Sequence, residues 1–89
     1  MSDSIREKAV ADIVSERERQ IQLAHGGDTA SFDETNTKND WIAYINAYLG
    51  RASDRVFRNE REGQSFRDNM VKAAALALAA IEAHDRGFC

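Results

Sequence analysis

No proline occurs anywhere in the chain, and a single cysteine, Cys89, stands at its end. Without proline the residue that most strongly interrupts helices is missing. A lone thiol cannot close an internal disulfide or build a cysteine zinc centre; Cys89 therefore reads as an exposed, reduced thiol. Strand-type alternation is also absent, so the fold expected is all-α. Nor is there a long apolar run. The richest one, residues 70–81, is broken by Lys72 and falls well short of the ~20 residues that cross a bilayer. Residues 1–25 carry charges throughout and hold no apolar signal segment, which reads as a cytosolic protein with no membrane partner.

The usual signatures of chemistry are missing too. There is no Gly-x-Ser-x-Gly turn, and neither His25 nor His84 has an evident serine or cysteine partner. Phosphate-loop and dinucleotide fingerprints are lacking, as is EF-hand spacing. Twelve basic residues are scattered among fifteen acids for a net charge of −3. That balance argues against nucleic acid as a partner, because a backbone binder needs an unbalanced basic face. Arg51, Arg55, Arg58 and Arg61 do recur at helical spacing, but Asp54, Glu60 and Glu62 cancel much of their field.

What is present is helix-forming sequence, densest from Ser65 to Asp85. Ser65 and Asp68 have the spacing of a helix start, and Arg86 with Gly87 that of an end. Phe66, Met70, Ala74, Ala77 and Ile81 fall on one stripe, and Val71, Ala75 and Leu78 widen it. Helices clothed in alanine admit close neighbours, so this one is expected to be central and covered on every side. A first helix is expected over Ser4–Ala24, with Ser4 and Glu7 as a capping box and Ile5, Ala9, Ile13 and Ile21 inward, widened by Val10 and Val14. Its segment Ser15–Gln20 reads as a solvated charged face, Glu16 lying at the edge of the buried stripe. His25, Gly26 and Gly27 end it. A polar loop, residues 26–38, follows, with Phe32 as its anchor. Lys38 to about Gly50 makes a second helix with Thr37 and Asp40 at its cap and Trp41, Ile45, Tyr48 and Leu49 inward, flanked by Ile42 and Tyr44. Gly50 and the Ser53-Asp54 pair suggest a bend before a short helix at 54–59 that presents Val56 and Phe57.

Residues 1–89 thus form one domain of three principal helices in a small bundle. A chain this short buries only about 60 to 65% of its unfolded surface, so completion by homodimerisation is expected. Trp41, Tyr44, Tyr48, Met70, Ala74 and Ala77 are the candidate interface residues. Missing nucleophiles and a widely apolar central helix point to a binding or interaction module without catalysis or cofactor, whose partners are a second copy or another protein. The alternative starts from acids. Glu82 and Asp85, three apart, point the same way; with Glu16 from the first helix and Asp33 from an acidic loop that also holds Asp28 and Glu34, they would line an oxygen site for Mg²⁺, which in turn binds nucleotide phosphates.

Two resemblances follow from these residues. Glu82-x-x-Asp85 is similar to one half of the acidic signature of the all-α, MazG-like nucleotide pyrophosphohydrolases; the other half, a Glu-x-x-Glu, has no clean counterpart. That resemblance implies Mg²⁺-dependent nucleotide hydrolysis. Over most of its length the chain resembles small uncharacterised helical proteins of bacteriophages, prophages and mobile elements. This second likeness is carried by Glu16-Arg17-x-Arg19-Gln20-Ile21, the acidic loop around Asp33, the aromatic second helix, Val71-Lys72-Ala73-Ala74-Ala75-Leu76, Ile81-Glu82 and Asp85-Arg86. It implies fold and provenance and no activity.

Overall fold

Short polar sequences decide where the helices begin. The computed structural model of the chain describes residues 3–25, 34–55 and 65–89, which hold three helices: α1 (Ser4–His25), α2 (Lys38–Arg55) and α3 (Phe66–Asp85). At α3 the Ser65 hydroxyl accepts from the Asp68 amide at 3.1 Å, and the Asp68 carboxylate accepts from the Ser65 amide at 3.3 Å. These are the reciprocal bonds of a capping box. Thr37 and Asp40 repeat them at α2, with 3.1 and 2.9 Å. At α1 the cap is Asp3 rather than Ser4. Its Oδ1 accepts from the amides of Ile5 and Arg6 at 3.1 and 3.3 Å, so Ser4 is already helical and Glu7 is left without the capping role expected of it. An aspartate one position earlier satisfies the same orphan amides, and its charge suits the positive helix end.

The end of α3 is a Schellman turn. Gly87 adopts φ 85°, a conformation glycine takes without the steric cost a Cβ brings. Its amide donates to the His84 carbonyl at 2.9 Å, and the Phe88 amide donates to that of Ala83 at 2.9 Å. The turn sends Phe88 and Cys89 back onto the core. Cys89 is therefore half-buried and packed, not the exposed thiol expected.

Gly50 does not bend α2, which continues to Arg55. The expected short helix over 54–59 is replaced by that continuation as far as 55, and Val56 and Phe57 lie outside the described residues. A Cβ at Gly50 would meet nothing within 4 Å, and the residue is exposed. Gly50→Ala should consequently stabilise the chain by about 0.5–1 kcal/mol, through restriction of the unfolded backbone. Thermal unfolding checks the sign.

α3 packs against both other helices, while α1 and α2 touch each other little. It is the central element, as expected, but the face turned inward differs from the expected one. Ala73, Ala75, Ala79 and Ala83 are buried there together with Asn69, whereas Phe66, Met70 and Ile81 point out. The reason is distance. Methyl groups let the axes of α1 and α2 approach α3, and larger side chains in the same places would hold them apart. On α2, Trp41 and Ala52 are buried, Ile45 and Tyr48 half-buried, and Leu49 exposed, contrary to its expected inward place. Trp41 lies on Ala79 and Ala83, ringed by Leu76, Ala80, Phe88 and Cys89. Among the described residues no helix is long and apolar enough to cross a membrane.

Candidate functional site

α1 meets α3 through charge rather than through its aliphatic residues. Ile5, Val10 and Val14 are exposed, with Ala9, Ile13 and Ile21 only half-buried. In their place the inward side of α1 carries Arg17, just 8% exposed, with Glu16 and Gln20 half-buried beside it. Arg17 Nε donates to Glu82 Oε1 at 2.9 Å, and Arg86 approaches the other carboxylate oxygen at 3.9 Å. Gln20 Nε2 donates to Glu16 Oε2 at 3.2 Å and to the Lys72 carbonyl at 3.4 Å. The segment expected to be a solvated face is in this respect a buried one, because an arginine among acids can enter an interface when a carboxylate from the next helix meets it.

Two grooves flank α3. One, about 500 Å³, lies between α1 and α3 and is lined by Asp12, Glu16, Arg19, Arg67, Asp68 and Lys72. Its charges are balanced and much of them is internally satisfied. Asp12 accepts from Lys8 at 3.0 Å and from Arg67 at 2.8 Å, and those two cations hold its carboxyl below the usual carboxylate range, Lys8 having the larger effect. Glu16 takes Arg19 in a two-pronged contact of 2.6 and 2.5 Å, which raises the guanidinium above its ordinary value. The second groove, about 350 Å³, runs between α2 and α3 over Trp41, Ile42, Ile45, Ala80 and Ile81, with Lys38, His84 and Cys89 around it. Its lining is almost wholly apolar. His84 Nδ1 donates to the Cys89 carbonyl at 2.9 Å, fixing the turn at one end of this groove.

Of the four acids proposed as a cation site, Glu16 and Glu82 are both turned to arginines and Asp85 is exposed on the outer part of the last turn. Asp33 lies outside the described residues. No three histidine, cysteine, aspartate or glutamate side chains converge as a cation site among the described residues. Phe32, Asp28, Arg58 and Arg61 likewise lie outside. Arg51 is committed locally, its guanidinium lying 4.8 Å from the centre of the Tyr48 ring.

The six interface candidates divide. Trp41 belongs to the core of its own chain, with Tyr44 edge-on to it at 6.4 Å and 87°, so it is unavailable to a partner. Tyr44 and Met70 are exposed; Tyr48, Ala74 and Ala77 are half-buried. Three buried polar residues escaped the sequence reading: Arg17, Asn36 and Asn69. Asn69 Nδ2 donates to the Ser65 carbonyl at 3.1 Å and so closes the first turn of α3 from inside. Asn69 and Ala73 are four apart and so share a face, but nothing in the sequence marks that face as the buried one. No family model matches the sequence, and no curated protein or solved structure matches it.

Proposed function

We propose that the chain is a non-catalytic interaction module that works as a homodimer in the cytoplasm, of the kind carried by bacteriophages and mobile elements. The observation that supports it best is the disposition of apolar side chains. Ile42, Phe66, Met70 and Ile81 are exposed, while the buried apolar residues among those described are one tryptophan and five alanines. Isolated exposed apolar residues are ordinary, but a contiguous set along one groove and one helix marks a surface for another protein.

The Mg²⁺-nucleotide reading rests on Glu82 and Asp85. Glu82 would have to release Arg17 to bind a cation, leaving a nearly enclosed guanidinium without its carboxylate, a costly exchange. Melting temperature in the presence of Mg²⁺ with each nucleoside triphosphate separates the two readings. The interaction module shows no shift and no release of pyrophosphate. A rise that Glu82→Ala abolishes, or turnover of any nucleotide, would replace it with the hydrolase reading.

A further inference from the structure

α1 and α2 are fastened to α3 by different means. Among the described residues of α1 the one that is buried is charged, Arg17, while the apolar side chains expected inward, Ala9, Ile13 and Ile21, are no more than half-buried. Polar ties cross this joint: Arg17 Nε to Glu82 Oε1 at 2.9 Å, Gln20 Nε2 to the Lys72 carbonyl at 3.4 Å, and Arg67 to Asp12 at 2.8 Å. α2, by contrast, sets the Trp41 ring on Ala79 and Ala83, with Leu76, Ala80, Phe88 and Cys89 around it. Because α1 and α2 touch each other little, α1 can leave α3 without disturbing that ring. From this we infer that α1 is a releasable arm, clasped by Arg17 and Glu82, which opens from α3 as a unit while α2 and α3 stay closed on each other. The arm goes beyond the interaction-module reading and does not depend on it.

The two joints exchange differently with water. Arg67 and Asp12 are exposed enough for solvent to compete for both charges, so their pair contributes little. Arg17 and Glu82 give up hydration on closing, and their attraction largely offsets that loss rather than exceeding it. On opening, every one of these groups recovers water. The clasp therefore fixes where α1 lies on α3 more than it resists release. An apolar ring has no such exchange, since exposing Trp41 returns its whole area to water.

Local openings in a protein span the range from fraying up to global unfolding, and segments with few buried apolar contacts open first. α1 is such a segment. Most of the stability of a helix in a protein comes from the packing of its face. Released α1 consequently unwinds in part, and its amides become free to exchange.

Native-state hydrogen exchange of the full chain, followed by NMR at rising urea below the unfolding transition, tests the arm. Amides of residues 12–21 should be protected about tenfold less, or weaker still, than those of residues 45–52. They should share one urea slope, shallower than that of α2, because less surface is exposed when α1 alone opens. Trp41→Phe should lower protection in α2 and α3 and leave α1 unchanged. Ala52→Gly, a milder change in α2, should do the same with a loss of about fivefold. Glu82→Ala, which strands Arg17 in the closed joint, should lower α1 protection by about tenfold or more. Protection of α1 equal to that of α2, or falling in step with it in Trp41→Phe and Ala52→Gly, would mean a single cooperative unit and overturn the arm. Protection of α1 unmoved by Glu82→Ala would overturn the clasp.

Discussion

Trp41→Ala should destabilise the chain by about 4 kcal/mol, the scale for emptying a large aromatic site in a core. Trp41 is 2% exposed and is the only large apolar side chain among the described residues that is fully buried; Ala52, Ala73, Ala75, Ala79 and Ala83 make up the rest. The Ala79 and Ala83 methyls against the void have no reach with which to fill it, which leaves the partly buried Leu76 and Phe88 at its rim to relax into it. For 89 residues the whole stability expected is roughly 4–13 kcal/mol, so the variant should lose between about a third and nearly all of it. Trp41→Phe keeps a ring on Ala79 and Ala83 and should lose markedly less. Chemical denaturation followed by circular dichroism measures both. A midpoint for Trp41→Ala close to that of the parent chain would show that α2 is held to α3 by something other than this ring.

The second large effect is expected at Glu82. Removing its carboxylate leaves Arg17 enclosed and without its 2.9 Å acceptor. Losing one partner of a fully enclosed pair typically costs about 3–5 kcal/mol. Glu82 keeps 35% of its side-chain surface, so solvent can reach the guanidinium end in part and about 2 kcal/mol is the expected loss for Glu82→Ala. In a domain of this size that lowers the melting temperature by roughly 10 °C. The double variant Arg17→Met, Glu82→Leu, apolar and similar in volume, should recover most of it, as replacement of both members of buried pairs commonly does. A Glu82→Ala protein that melts like the parent would mean that α1 is docked without the ion pair. The same variant thus reads architecture here and cation binding in the nucleotide panel.

The parts of the fold that were legible in the sequence are those decided within one turn of chain. Ser65 with Asp68, Thr37 with Asp40 and Arg86 before Gly87 each solve a local hydrogen-bonding problem, and each is found where the spacing places it. The orientation of α3 was not legible, because its alanines lie on adjoining faces and period alone does not choose among them. The choice is made by closeness of approach, a property of the neighbouring helices. Arg17 failed for a related reason. Its segment carries alternating charges like any solvated face, and the arrival of Glu82 from 65 residues away helps make burial tolerable. Gly50 suggests a bend through its intrinsic cost in a helix, which the packing of α2 beyond it, through Ala52, outweighs.

The inward side of α3 makes its tolerance to mutation lopsided. Alanine has the smallest side chain that bears a Cβ, so Ala75, Ala79 and Ala83 can hardly lose volume. Nearly every change there adds atoms where none fit, and overfilled cores commonly lose about 1–3 kcal/mol. In a saturation library these three sites should accept glycine and serine ahead of valine or leucine, and a crowded variant should find its suppressors across the helix boundary, as smaller residues opposite it.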